Sequence, residues 1–191
     1  MGPSRPAGIV ATPAGHRPTI KLHHGSAREQ ATRQQLDRLF DQYDLSPWAF
    51  THQVELEEQV VPHSHPVLTL STRHLRDDLL LVATYIHEQS HWYFEARRDD
   101  TMAAVAELEV RFPGLPVGFP DGASDHDASY EHLCVIALEY DGLIRLVGEL
   151  VARQVMEFWA SDHYRVLYRT VLDNDDAIRA VMKHHRLEPP P

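Results

Sequence analysis

The sequence predicts an α+β fold, mostly helical, with a small antiparallel sheet placed before a central helix. Three observations point there. Apolar residues recur at helical spacing over most of the chain. One stretch, Trp48 to Glu57, alternates instead, with Trp48, Phe50, His52, Val54 and Leu56 on one face and Ala49, Thr51, Gln53, Glu55 and Glu57 on the other. The chain has 191 residues, 43% of them hydrophobic and 24% charged, which suits one domain with a sizeable core.

Residues 1–18 carry Pro3, Pro6, Pro13 and Pro18 with Gly2, Gly8 and Gly15 and little that is apolar. Such a segment cannot offset its own ordering entropy and reads as a flexible tail, as does 188–191. Between them, 19–187 shows no repeat or linker and reads as a single domain. Residues 28–43 form a helix on Leu36, Leu39, Phe40 and Tyr43. The strand at 48–57 is followed by a turn at Pro62–Pro66 and a second short strand, Val67 to Ser71. A hairpin-like antiparallel pair is the simplest way to join them. Helices then cover 76–98, with Asp77 and Asp78 in a first turn that favours negative charge, and 100–111. A Pro/Gly-rich loop, 112–122, leads to one long helix from Asp127 to Trp159. Asp127 or Ser129 supplies its N-cap. Shorter helices at 162–172 and 175–185 finish the chain.

The formal net charge is −10, which disfavours nucleic acid held through phosphates, an anionic membrane surface and very acidic substrates. No apolar run approaches the roughly 20 residues that cross a bilayer. The N-terminal residues lack the apolar stretch of a secretory signal, so a cytoplasmic protein is expected. A single cysteine, Cys134, leaves no intramolecular disulfide and no Cys-rich zinc module. Any metal must therefore be held by histidine and carboxylate, and the chain has 14 histidines.

The segment Leu79–Trp92 contains His87-Glu88-x-x-His91. On a helix, residues four apart share a face, so His87 and His91 can hold one cation. Glu88 beside them can take a proton from a metal-bound water. The turns preceding the motif are apolar nearly all round, as in a buried helix and unlike a surface one.

A catalytic zinc normally has three protein ligands and one open position. On the long helix His132 and Glu139 are seven residues apart, close to two full turns, so they share a face. Ile136, Leu143, Leu146 and Leu150 fall on that same face of the helical wheel. An imidazole and a carboxylate thus sit inside an apolar stripe, where burial is costly without partners. A cation at His87 and His91 satisfies both. His132 is the expected third ligand, with Glu139 orienting a ligand histidine or binding the metal itself; the reverse assignment meets the same geometry.

With His87, Glu88 and His91, a strand before the motif helix and a third ligand on a later helix, the central half of the chain resembles the zincin metallopeptidase clan. That resemblance implies a mixed sheet whose edge strand aligns an extended peptide, and amide cleavage by Zn²⁺ with the motif glutamate. Trp92 to Thr101 lacks the Gly and third His of the metzincin branch, and Leu143 stands where Glu-x-x-x-Asp would place its Asp. No named family is assigned.

The expected activity is zinc-dependent hydrolysis of a peptide or small amide, with Glu88 as general base. Two alternatives stand beside it. A non-heme Fe(II) oxygenase uses a similar His/Glu set. A non-catalytic binding module needs the metal only for stability. Secondary features are weaker. Tyr164 or His163 can donate to a developing oxyanion, although Tyr164 and Tyr168 also suit core or rim positions. Phe112 and Phe119 can wall a cleft or cover the core. His52 alternates onto the apolar strand face and can line the same cleft. His23-His24, His63, His65, His126 and His184-His185 suit turns, caps and surfaces.

Overall fold

The structure is a computed structural model that describes residues 17–188. Most of the expected tail at 1–18, and all but Glu188 of 188–191, lies outside the described residues. Of the three tail residues described, Pro18 is buried, Arg17 half-buried and Glu188 exposed. The elements run β1 (Thr19–Leu22), α1 (Ala27–Gln42), β2 (Gln53–Glu57), β3 (Leu68–Ser71), α2 (Asp78–Glu95), α3 (Arg98–Arg111), α4 (His126–Val147), α5 (Glu149–Asp162) and α6 (Arg165–His184).

Local chemistry accounts for the helix starts. Ser26 caps α1 with a capping box, its side chain accepting from the Glu29 N–H while Glu29 reaches back to the cap. Asp77 caps α2 by accepting from Leu80 N–H at 3.1 Å. For α4 the cap is Asp125, accepting from Ala128 N–H at 2.9 Å. It displaces both expected candidates: Asp127 lies in the first turn, and the buried Ser129 hydroxyl instead donates to Pro116 O at 2.8 Å.

The sheet corrects the expected antiparallel pairing. Its order is β1-β2-β3 and both ladders are parallel, with Ile20 opposite Val54 and Val54 opposite Leu68. The expected reversal near Pro62–Pro66 does occur, but its partner is not β2. His63 pairs antiparallel with Thr69, exchanging both backbone hydrogen bonds at 2.8 and 3.1 Å. The chain therefore leaves β2, descends along the outer edge of β3, and only then turns up into β3. Two reversals leave β2 and β3 running the same way. Strand β1 went unexpected because four residues with two apolar positions carry almost no periodic signal.

Two other boundaries differ. Trp48 belongs to a 3-10 turn, Ser46–Trp48, and is buried there, so the strand starts later, at Gln53. His52 is exposed and does not reach the cleft described below, which removes it from the candidate lining. The expected helix from Asp127 to Trp159 is two helices that meet at Gly148 (φ 81, ψ 158), a conformation essentially open only to glycine. Past that joint the helical wheel no longer holds, and Leu150 is 76% exposed. The expected break between the two final helices is present: Asn174 (φ −138, ψ 25) is non-helical and divides α6 where the sequence places the gap between 172 and 175.

Helix α4 packs against α2, α3, α5 and α6 and is the axis of the fold. Buried side chains from every one of these helices join α1, β2 and β3 in a single apolar cluster. Against it α2 is buried almost continuously from Leu80 to Ser90. Among the described residues, no helix is long and apolar enough to cross a membrane.

Candidate metal centre

Helix α2 carries His87, Glu88 and His91 on its inner side, and α4 brings His132 and Glu139 against it. The approach of the two helices is close. A Cβ placed on Gly142 of α4 would lie 3.0 Å from Trp48 Cε2 and 3.1 Å from Ile86 Cδ1. Glycine removes that obstruction, so the two helices can bring their polar side chains to one point.

The three imidazoles converge. Ring centroids are 5.2 Å apart for His87–His91, 5.5 Å for His87–His132 and 4.9 Å for His91–His132. One ring nitrogen of each lies within 4.8 Å of the others'. Neighbouring groups occupy the opposite edges of the rings. His132 Nδ1 sits 2.7 Å from Ala128 O, an acceptor only, so Nδ1 carries the proton and Nε2 is free to ligate. His87 Nδ1 lies 2.9 Å from Glu139 Oε2. His91 Nδ1 lies 4.0 Å from Glu131 Oε1, and Arg98 holds that carboxylate at 2.6 Å.

Glu139 therefore lies behind His87 and is not one of the converging donors. It is fully buried, and the Tyr168 hydroxyl donates to its Oε2 at 2.9 Å. Its Oε1 has no hydrogen-bond partner among the described residues. Burial pushes this carboxyl well above the usual carboxylate range, and the Tyr168 hydrogen bond opposes the shift. When His87 Nδ1–H donates to Glu139 Oε2, the ring's free lone pair is left on His87 Nε2. A cation at the three histidines favours that arrangement.

Burial also sets the state of the other groups. It is the leading cause holding His87 well below the usual imidazole range, with the charges of His91, His132 and His163 adding to it. Burial likewise lowers His91 to about 3 and His132 to about 4. All three are neutral near pH 7, which is the form that ligates a metal. Burial alone pushes Glu88 up to about 8.

The donor set suits a cation. Three neutral imidazoles match a tetrahedral zinc site that keeps a fourth position open. Two other groups bring donors comparably close, His23–His24–Glu57 and Glu107–His184–His185, but neither borders the cleft. The three central histidines lie at the base of a cleft of about 520 Å³. Its walls come from the β2–β3 loop (Val60 to Ser64), from Ser71 at the end of β3, from Arg73 and His74 just after it, from Phe119, and from residues between Trp159 and Tyr168. Comparison with protein-family models, with curated proteins and with solved structures finds no match.

Several wall residues carried no sequence signal. Tyr168 sits on the buried face of an amphipathic helix, where its pattern equals that of a core tyrosine. Arg73 and Asp162 are 89 residues apart and meet only through folding, in a bidentate pair. Tyr164 is visible at a helix start, but its place is set by an unusual backbone (φ 49, ψ 35). That conformation holds its ring 4.5 Å from His132 and nearly parallel to His87. Phe119 lines the cleft, whereas Phe112 packs on the core.

Proposed function

We propose that this chain is a metal-dependent hydrolase that acts in the cytoplasm on a peptide or another amide. The reading rests on one observation: three imidazoles, His87 and His132 buried and His91 half-buried, converge at the base of a cleft beside a buried carboxyl group, Glu88, that makes no hydrogen bond among the described residues. A bound Zn²⁺ supplies Lewis acidity, polarising a carbonyl and bringing the pKa of a water towards 7. His87, His91 and His132 hold it. Glu139 and Tyr168 keep the His87 ring in its ligating tautomer.

Glu88 has a pKa raised towards working pH, so it can both accept and return a proton. It takes one proton from the attacking water as the new C–O bond forms. It returns that proton to the nitrogen as the C–N bond breaks, releasing an acid and an amine. Tyr164 lies near Glu88 and beside the imidazoles, where its hydroxyl can donate to the developing oxyanion.

The test combines metal analysis with turnover of a quenched-fluorescence peptide library. Wild type should carry one zinc per chain, and His87→Ala, His91→Ala and His132→Ala should lose it. Glu88→Gln should keep the zinc and lose at least about 100-fold in rate. Full turnover in Glu88→Gln sinks the reading. Iron in place of zinc, with O₂ consumption, moves it to oxygenase chemistry. Bound metal without any turnover leaves the metal a structural role.

A further inference from the structure

The walls of the cleft carry information about what it binds. Exposed apolar side chains scattered singly are ordinary, but ones that share the lining of a single cleft mark a ligand-binding surface. Val61 is 81% exposed and Phe119 is 80% exposed, and both line this cleft. Neither sits on a loose segment. The Phe119 loop is tied to the start of α6 by Arg165 N–H to Pro120 O at 3.0 Å and Val166 N–H to Asp121 O at 3.2 Å. Arg165 Nε adds a bond to Asp121 Oδ1 at 2.9 Å. The Val61 loop is tied through the His63–Thr69 bridge and by Trp92 Nε1–H to Ser64 O at 2.9 Å. Both residues are therefore presented on fixed supports.

The charged side chains on the cleft walls are already paired. Of the three carboxyl groups in its lining, Glu88 and Glu139 lie buried beside the histidines, and only Asp162 shares the wall with the one guanidinium, Arg73. That guanidinium is already taken by Asp162 in a bidentate pair. A carboxylate on the substrate's tail would be desolvated against walls where, among the described residues, no unpaired arginine or lysine receives it. An apolar group would instead cover Val61 and Phe119. The volume of about 520 Å³ fits a short peptide or an acylated amine rather than a folded protein.

We infer that Phe119 and Val61 form the specificity site of the proposed hydrolase, and that its substrates are uncharged amides carrying an apolar acyl or side chain beside the scissile carbonyl. This rests on the metal-hydrolase reading. Its test uses three probes with one zinc-chelating head: acetohydroxamate, octanohydroxamate and the monohydroxamate of succinate. Binding to the zinc-loaded full chain is measured by calorimetry. The octanoyl probe should bind at least about tenfold more tightly than the acetyl probe, since each methylene covered adds about 0.8 kcal/mol. The succinate probe, with its carboxylate, should bind no better than the acetyl one. Phe119→Ala should reduce the octanoyl-to-acetyl ratio severalfold, and Phe119→Leu should retain most of it. Because Phe119 is 80% exposed, these variants should fold as wild type does. Equal octanoyl and acetyl binding, tightening by the carboxylate, or an unchanged ratio in Phe119→Ala each overturns the inference. Failure of all three probes to bind overturns the metal-hydrolase reading beneath it.

Discussion

At the scale of residues, the proposed centre is backed by groups that lie behind the histidines and outside the converging donors. Glu139 and Tyr168 form a buried chain behind His87, and such outer partners typically contribute about 10- to 100-fold in metal affinity. Glu139→Gln should weaken zinc binding by about that range in competition with a chelator. Tyr168→Phe, which leaves the carboxylate in place, should weaken it less. A role in packing alone would lower the melting temperature and leave affinity unchanged. His74 allows a separate test away from the ligands. Burial against Trp159 lowers its pKa to about 4, the Arg73 charge adds to this, and Asp77 and Asp162 oppose it. The unfolded chain takes up a proton near pH 6.5, whereas the folded His74 stays neutral until about pH 4. Stability should therefore fall as pH drops from 6.5 towards 4, and His74→Gln should flatten that slope in urea titrations.

At the scale of elements, the two glycines Gly142 and Gly148 act on α4 in different ways and should respond differently. Gly142 is a contact point. A methyl there presses on Trp48 and Ile86, and overpacking of this kind costs about 1–3 kcal/mol. Because it pushes α4 from α2, Gly142→Ala should also loosen His132 and weaken metal binding. Gly148 is a joint, with no atom within 4 Å of where a Cβ would stand but with φ at +81°. Gly148→Ala should cost about 1–3 kcal/mol through backbone strain, with metal affinity kept. Urea unfolding beside a zinc titration separates the two. The joint also shows why the helical wheel worked where it did. His132 and Glu139 precede Gly148, so their common face was readable from spacing. Leu150 follows it and points elsewhere, because one residue outside helical geometry resets the phase.

At the scale of the whole molecule, the cleft is assembled from the β2–β3 loop, the segment after β3, helix α2, the loop before α4, and residues of α4, α5 and α6. A metal bound at its base would tie α2 to α4 and should stabilise the folded chain by mass action. At free zinc about 100 times its dissociation constant the gain is about 2.7 kcal/mol, or roughly 5–10 °C in melting temperature for a domain of this size. Chelation should reverse it, and His132→Ala should abolish it. An unchanged melting temperature on adding zinc would contradict a cation bridging the two helices.

The pair His87 and His91, with Glu88 between them, was legible because a helix is local: spacing four residues apart sets which side chains share a face. The buried acid and imidazole on α4 were legible for a related reason, since an apolar stripe marks which positions lose water. Spacing cannot express which of these side chains meet across the fold. Strand direction, the Arg73–Asp162 pair, the backing of His87 by Glu139 and Tyr168, and the position of Phe119 all join residues far apart in sequence. The sheet is the plainest case. The turn at Pro62–Pro66 was readable, but whether it paired β3 with β2 or with His63 depended on where the outer edge of β3 lay. That edge exists only once the chain has packed, and so the sequence determined the candidate donors while the tertiary structure decided their company.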